Sequence, residues 1–389
     1  MADTVATPAH STRARRLGEV VTLFLKLGTI SFGGPAGHIA LMEHEAVHKR
    51  DWLSREHFLD LLAATNLVPG PNATEMAVHI GYVHAGWLGL FAAGAAFILP
   101  AFLISLGLAI IYVRFGSLPE GAAVFYGIAP VVVGIVLTAT YRLGRSAIKD
   151  WRSALLGLAA LAAVLLDANE VHVLFVAGLA GVALHRPRRF PWQSFLVVNL
   201  APVATALPPL ADWASAQTWQ LGLYFLKVGS LIFGSGMVLF AFIQRDVVTR
   251  FGWLSQQQLL DAIAVGQMTP GPVLSSATFI GYLVSGVPGA VVATVGVFAP
   301  SFIIIALIGP WIPKLRRSPV AQAFLKGVNA AVLALMASIG FVLVRSALVD
   351  AWTVLVLGLA LVALLRYKVD AIWLIAGGSL VGLMHYLLA

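Results

Sequence analysis

The stretch "NLVPGPNATEMAVHIGY", residues 66–82, places Pro69, Gly70 and Pro71 in an apolar setting where a helix would otherwise run on. Residues 267–282, "QMTPGPVLSSATFIGY", say nearly the same thing again. Proline in a helix interior costs about 3 kcal/mol. A chain that breaks an apolar helix twice, in the same way, has a use for the break.

The repeat extends far beyond this motif. At an offset of 201 residues, Phe24-Leu25-Lys26 matches Phe225-Leu226-Lys227, Phe32-Gly33 matches Phe233-Gly234, and Glu45 matches Asp246. Trp52-Leu53-Ser54 matches Trp253-Leu254-Ser255, and Pro69-Gly70-Pro71 matches Pro270-Gly271-Pro272. One residue is then lost, and at an offset of 200 Gly81-Tyr82, Gly86, Gly89 and Pro100 find partners in Gly281-Tyr282, Gly286, Gly289 and Pro300. Such self-similarity is the signature of an internal duplication. We divide the chain into a basic arm (1–16), a first repeat (17–190), a linker (191–217) and a second repeat (218–389).

Composition names the solvent. The 389 residues are 59% hydrophobic and 11% charged, with mean hydropathy +0.90. A soluble domain carries about 25% charged residues, so this chain cannot cover a water-exposed surface. Apolar runs of spanning length, such as 86–113, 122–141 and 287–308, recur to the C-terminus. The fold class is an all-α polytopic membrane protein. The formal net charge of +8 reflects the positive-inside bias rather than nucleic-acid binding. The absence of cysteine excludes disulfides, thiolate metal sites and cysteine nucleophiles.

The loop charges orient the halves. Residues 141–152, "YRLGRSAIKDWR", carry four basic residues, and the counterpart around 345–352 carries one Arg and one Asp. The basic 312–318, "IPKLRRS", and 365–370, "LRYKVD", answer to the non-basic 113–121 and the acidic 166–170. Each basic loop faces a non-basic partner, so the halves are expected to be inverted, with the N-terminus cytoplasmic. Two counts fit. Six spans per half plus one crossing in 192–213 give about 13, with the C-terminus periplasmic; five spans per half plus re-entrant segments give about 10.

Inverted repeats with interrupted helices are the layout of secondary transporters, whose half-helix N-termini point at the substrate. Such an end offers free N–H groups and about half a positive charge, which suits an anion. Pro71 fits the first helical turn, where its missing N–H is no loss. Asn72, Thr74, Ser275 and Ser276 add polar groups there. For one copy alone, Pro-Gly-Pro is equally well a plain loop; duplication favours function.

The second break is "LGTISFGGPAGH", residues 27–38, echoed by "VGSLIFGSGMV", residues 228–238. Gly33, Gly34, Gly234 and Ser235 admit either a ligand or a close helix neighbour. Lys26 and Lys227 precede the two breaks and are either ligand contacts or snorkelling residues. Glu45 and Asp246 are either proton carriers or interfacial partners of basic neighbours. Glu75 and His79, just past the first break, are further proton-carrier candidates.

"HEAVH", residues 44–48, fits the zinc-protease pattern H-E-x-x-H. Its copy "RDVVT", residues 245–249, keeps the acid and loses both histidines, so an intramembrane metalloprotease is a remote alternative. Neither an enzymatic activity, a metal nor a cofactor is expected.

With "FGGPAGHIALMEHEAV", "WLSREHFLDLLAATNLVPGPNATEMAVHIGY", "FGSGMVLFAFIQRDVV" and "GQMTPGPVLSSATFIGYLVSGVPGA" in view, the sequence resembles the chromate ion transporter (CHR) family in its long, two-domain form. The resemblance covers essentially the whole chain. It implies proton-motive-force-driven export of chromate across the bacterial inner membrane, giving chromate resistance, with sulfate as a second oxyanion. Asn66 and Gln267, flanking the breaks, agree with the family pattern, while "FGSG" and Glu75 depart from it. The expected substrate contacts are Lys26, Gly33, Gly34, Asn66, Pro69–Pro71, Asn72 and Thr74, with Lys227, Gly234, Ser235, Gln267, Pro270–Pro272, Ser275 and Ser276 from the second copy. Expected partners are chromate, sulfate, protons and lipid, with a homodimer allowed and no nucleic acid. A channel of the same fold is the other class.

Overall fold

The structure is a computed structural model, and it describes residues 13–32, 34–65, 68–116, 118–185, 216–233, 236–308 and 318–388. Among the described residues there are fourteen helices and no strand. The first repeat supplies α1 (Arg13–Ile30), α2 (Gly34–Glu43), α3 (Arg55–Thr65), α4 (Asn72–Phe115), α5 (Pro119–Ala147), α6 (Trp151–Leu165) and α7 (Glu170–Leu184). The second supplies α8 (Ala216–Gly229), α9 (Val238–Phe242), α10 (Gln256–Met268), α11 (Ser276–Ile308), α12 (Pro319–Ala347), α13 (Ala351–Val362) and α14 (Ala371–Leu388) in the same order. Wide π-helical turns continue α2 (His44–Lys49), α9 (Ile243–Arg250) and α13 (Ala363–Tyr367).

Among the described residues five helices, α4, α5, α11, α12 and α14, are long and apolar enough to cross a membrane. Their outward faces carry bare Leu, Ile, Val and Phe, as at Leu103, Ile111, Val295 and Leu307, the surface a bilayer requires. The crossing expected in 192–213 lies outside the described residues.

The long helices are not straight. Gly86 (φ 68°, ψ −153°) and Gly286 (φ 60°, ψ −151°) interrupt α4 and α11 at equivalent points. The chain folds back there, because Gly81 lies against Gly89 and Ala93, and Gly281 against Gly289 and Ala293. Thr278 and Thr294 hydrogen-bond across the second fold at 2.7 Å. The run that sequence reads as one span starting at Gly86 is thus the long arm of a tight hairpin. Its short arm begins at the Pro-Gly-Pro motif.

The first break folds back as well. Lys26, near the end of α1, reaches Glu45 beyond α2 at 2.7 Å. Nineteen positions apart, the two could not meet if α2 continued the direction of α1, since each helical residue advances about 1.5 Å. The breaks are therefore tips of hairpins rather than gaps in straight helices.

The halves exchange helices. α5 packs on α13 and α14, and α12 packs on α6 and α7; α4 meets α11, and α5 meets α12. Gly127 abuts Gly378 and Gly382, and its counterpart Gly327 abuts Ala177 and Gly178, too closely for a side chain at either glycine. Small residues of this kind let helix backbones touch where lipid gives no hydrophobic drive. At one end of the bundle Arg142 donates to the Leu364 carbonyl at 3.3 Å and His185 meets Asp150 at 3.2 Å. At the other end Tyr126 donates to Asp350, and Arg245 meets Glu170 at 3.3 Å. Asp150 and Asp350 cap α6 and α13 alike, accepting from the N–H groups of Ser153 and Thr353. The Ser153 bond leads the effects that hold the Asp150 carboxyl down to about 2.

Candidate functional site

Both Pro-Gly-Pro tips are satisfied by the opposite repeat. The Gly70 N–H donates to the Ile232 carbonyl at 2.7 Å, and the Gly271 N–H donates to the Ser31 carbonyl at 2.9 Å. Ser31 and Ile232 are equivalent positions in the two glycine-rich breaks. Each motif of one half therefore closes on the other motif of its twin. An unwound segment inside a membrane must find such partners, since lipid offers none.

Around these tips lies a cavity of about 850 Å³. Gly34 at the start of α2, Asn72 at the start of α4, Met237 before α9 and Val273 before α11 all line it. Four chain segments from both repeats thus bring helix starts to one space, where the helix dipoles favour negative charge. The mouth lies among Arg142 and Arg145 at the end of α5 and Lys368 beyond α13, with Asp370 as the acid beside them. Pro71 is the residue preceding the helix (φ −78°, ψ 104°), and Asn72 opens the first turn. The break sits one residue later than the first-turn proline predicted from sequence.

Of the residues singled out from sequence, Gly34, Pro71, Asn72, Gln267, Gly271 and Pro272 line the cavity. Gly33, Asn66, Gly234 and Ser235 lie outside the described residues. Pro69, Gly70 and Pro270 form the tips behind the lining. Ser276 donates its hydroxyl to the Val273 carbonyl at 2.6 Å. Thr74 and Ser275 are fully buried with hydroxyls that have no protein partner.

The matched lysines and acids pair with each other, away from the cavity. Lys26 bonds Glu45, which also takes Lys49 at 3.6 Å and Arg50. Lys227 meets Asp246 at 3.3 Å. Each lysine thus ties a break to the turn that follows it. The same contacts occupy the acid of "HEAVH", and among the described residues no group of three potential metal ligands assembles.

Glu75 stands apart. It is fully buried, and neither carboxylate oxygen has a protein partner. It is not part of the cavity lining; its carboxylate and the Ser301 hydroxyl fill the place a side chain on Gly70 would take. His79, one turn on, is also buried, with Nε2 unpartnered.

Sequence reasoning missed Ser31 and Thr138, which line the cavity with buried, unpartnered hydroxyls. It also read Arg142 and Arg145 only as topology markers. The signal was present in part: Thr138, Arg142 and Arg145 share one face of α5 by helical spacing.

The chromate transporter family pattern matches twice, over residues 18–182 and 219–383. The chain is 36% identical over 390 residues to the chromate transport protein of Cupriavidus metallidurans, covering 98% of this chain and 96% of the relative. It is 34% identical over 364 residues to the probable chromate transport protein of Synechococcus elongatus, covering 91% of each. With the chromate transport protein of Pseudomonas aeruginosa it shares 34% identity over 333 residues, 80% of this chain and 77% of the relative. No solved structure matches the chain.

Proposed function

The chain belongs to the chromate transporter family, and from that premise we propose that it is a secondary active transporter exporting chromate from the bacterial cytoplasm, driven by the proton-motive force. The observation that carries this reading is the single cavity onto which helix starts of both repeats converge, with Arg142, Arg145 and Lys368 at its mouth. A dianion is drawn to such a site, and the mouth is its route in from the basic side of the membrane. Chromate resistance is the expected consequence of export.

The halves are read as inverted, in the inner membrane. The end of the bundle that joins Arg142 to Leu364 and His185 to Asp150 gathers the basic loops 141–152 and 365–370, which the positive-inside rule assigns to the cytoplasm. The opposite end gathers Asp350, Asp167 and Glu170. An odd number of crossings between equivalent loops follows, and the C-terminus is placed in the periplasm. The cavity, opening among the basic residues, is then the cytoplasm-facing state of an alternating-access cycle.

Glu75 is the proton carrier in this reading, supported by complete burial without a partner charge, a state that intramembrane carboxylates hold for a functional reason. His79 is its neighbour on the relay. Sulfate, of the same charge and tetrahedral shape, is the second substrate. The test is chromate uptake into inside-out vesicles with and without a proton gradient, with sulfate as competitor. Energised accumulation that sulfate inhibits weakly supports chromate export. Strong preference for sulfate moves the protein to another oxyanion, and passive flux unaffected by a protonophore makes it a channel.

A further inference from the structure

Within the cavity, two hydroxyls stand out by the combination of burial and want of a partner. Ser31 is 1% exposed and Thr138 3% exposed, both line the cavity, and neither Oγ of Ser31 nor Oγ1 of Thr138 has a protein partner. A buried hydroxyl left without a hydrogen bond is costly. Ser31 is also held in place by its own backbone. Its carbonyl accepts the Gly271 N–H at 2.9 Å and lies 3.1 Å from His38 Nε2, so both partners of that oxygen are fixed and the hydroxyl remains for something else. Thr138 sits one turn inside Arg142 on the lining face of α5, and Arg145 one turn further out. The guanidinium of Arg142 spends one N–H on Leu364 and keeps the rest of its donors.

The second repeat has nothing like it. The residues equivalent to Ser31, Thr138 and Arg142 are Ile232, Ser338 and Val342, and the Ser338 hydroxyl is already given to the Leu335 carbonyl at 2.9 Å.

We propose that Ser31, Thr138 and Arg142 form the resting subsite of the transported tetrahedral oxyanion, so that its ligands come from the first repeat while the second contributes only the Gly271 tip that braces Ser31. This deepens the transport reading and rests on it. The hydroxyls and the guanidinium donate to the oxygens of a dianion. Arg142 serves the subsite from the mouth, where Arg145 and Lys368 stand with it in the lining and load it.

The experiment is equilibrium binding of radiolabelled chromate, and separately radiolabelled sulfate, to the purified full chain in detergent. Ser31→Ala, Thr138→Val and Arg142→Gln are each expected to weaken binding by about tenfold or more, the loss typical of one hydrogen bond to a charged partner. Ser338→Ala, the equivalent change in the second repeat, is expected to bind as wild type. Thr138→Ser keeps the hydroxyl and is expected to restore binding; if it binds as poorly as Thr138→Val, the defect is one of packing and the assignment falls. Wild-type affinity in Ser31→Ala and Thr138→Val together overturns the subsite while leaving the transporter intact. A wild-type protein that binds neither anion overturns the transport reading and the subsite with it.

Discussion

The N–H of Gly70 is bonded to the carbonyl of Ile232, in the other repeat, at 2.7 Å, and its twin Gly271 makes the same bond to Ser31 at 2.9 Å. The duplicated breaks are thus one structure made of two crossed pairs. Neither repeat can satisfy its own tip, which makes the tips sensitive to any change in how the halves sit. Gly271 holds φ +90°, and a side chain there would press on the Gly28 carbonyl and Ala101. We expect Gly271→Ala to cost at least about 1 kcal/mol from backbone strain alone and Gly271→Val considerably more. Transport should fall at least tenfold in the valine variant while membrane insertion, followed by a C-terminal fluorescent tag, is unchanged. Full transport by Gly271→Val would mean that the crossed pair has no functional role.

The carrier reading of Glu75 is separable from substrate binding, because its carboxylate lies at Gly70 and Ser301 and is not part of the cavity lining. Glu75→Gln keeps the shape and removes the titration. Equilibrium binding of chromate should stay within about threefold of wild type, a difference of under about 1 kcal/mol. Accumulation driven by a proton gradient should be lost, and exchange of internal for external chromate should persist. Proton-driven accumulation at the wild-type level in Glu75→Gln would hand the role to another group.

At the end of the bundle away from the basic loops, Arg245 binds the backbone carbonyl of Ala168 and the Glu170 carboxylate, the latter at 3.3 Å. Glu170 is 4% exposed, whereas its counterpart Asp370 is exposed at the cavity mouth. The acid of one loop is buried beneath an arginine and the acid of the equivalent loop is exposed, as expected of a transporter closed on one side. Stranding the buried Glu170 by Arg245→Gln should destabilise this end by up to about 3 kcal/mol. The chain has no cysteine, so a single cysteine introduced at Asn169 reports directly. Its labelling by an impermeant thiol reagent should be faster in the Arg245→Gln background. Equal rates in both backgrounds would show that this contact does not hold the side shut.

How much of this could be read from the chain follows from what is local. Composition, the apolar runs, the repeat and the two breaks are each carried by contiguous residues, and they foretold the helical class and the breaks that frame the cavity. The hairpin turn at Gly86 was visible only as a matched glycine, since a positive φ leaves no other trace in sequence. The pairing of Lys26 with Glu45 depends on α2 folding back on α1, which hydropathy does not encode. Thr138 was passed over for a related reason. It is one hydroxyl in an apolar helix, and only the packing of α5 against the two tips shows that its partner is missing. The exchange of α5 and α12 between halves is a tertiary choice, made by glycine surfaces such as Gly127 and Gly378 that look alike in sequence to glycines elsewhere in the chain.

The unequal endowment of the two repeats leads to a prediction about sidedness. In alternating access, the state open to the opposite face is lined by the equivalents of the present lining, and these are Ile232, Ser338 and Val342 in place of Ser31, Thr138 and Arg142. The oxyanion then keeps the helix starts but loses one hydroxyl and a guanidinium, and the remaining hydroxyl, that of Ser338, is given to the Leu335 carbonyl. Its affinity should be higher from the basic side than from the other by about tenfold or more, if even one charge-assisted hydrogen bond is lost. Such a difference suits an exporter, which must capture a dilute anion on one side and release it on the other. Half-saturation concentrations for chromate exchange, measured in inside-out and right-side-out vesicles of the same preparation, give the ratio. Ile232→Ser, which places a hydroxyl at the position equivalent to Ser31, should narrow it from the periplasmic side. Equal half-saturation from the two faces in the wild type would show that the asymmetry of the lining does not bear on the anion.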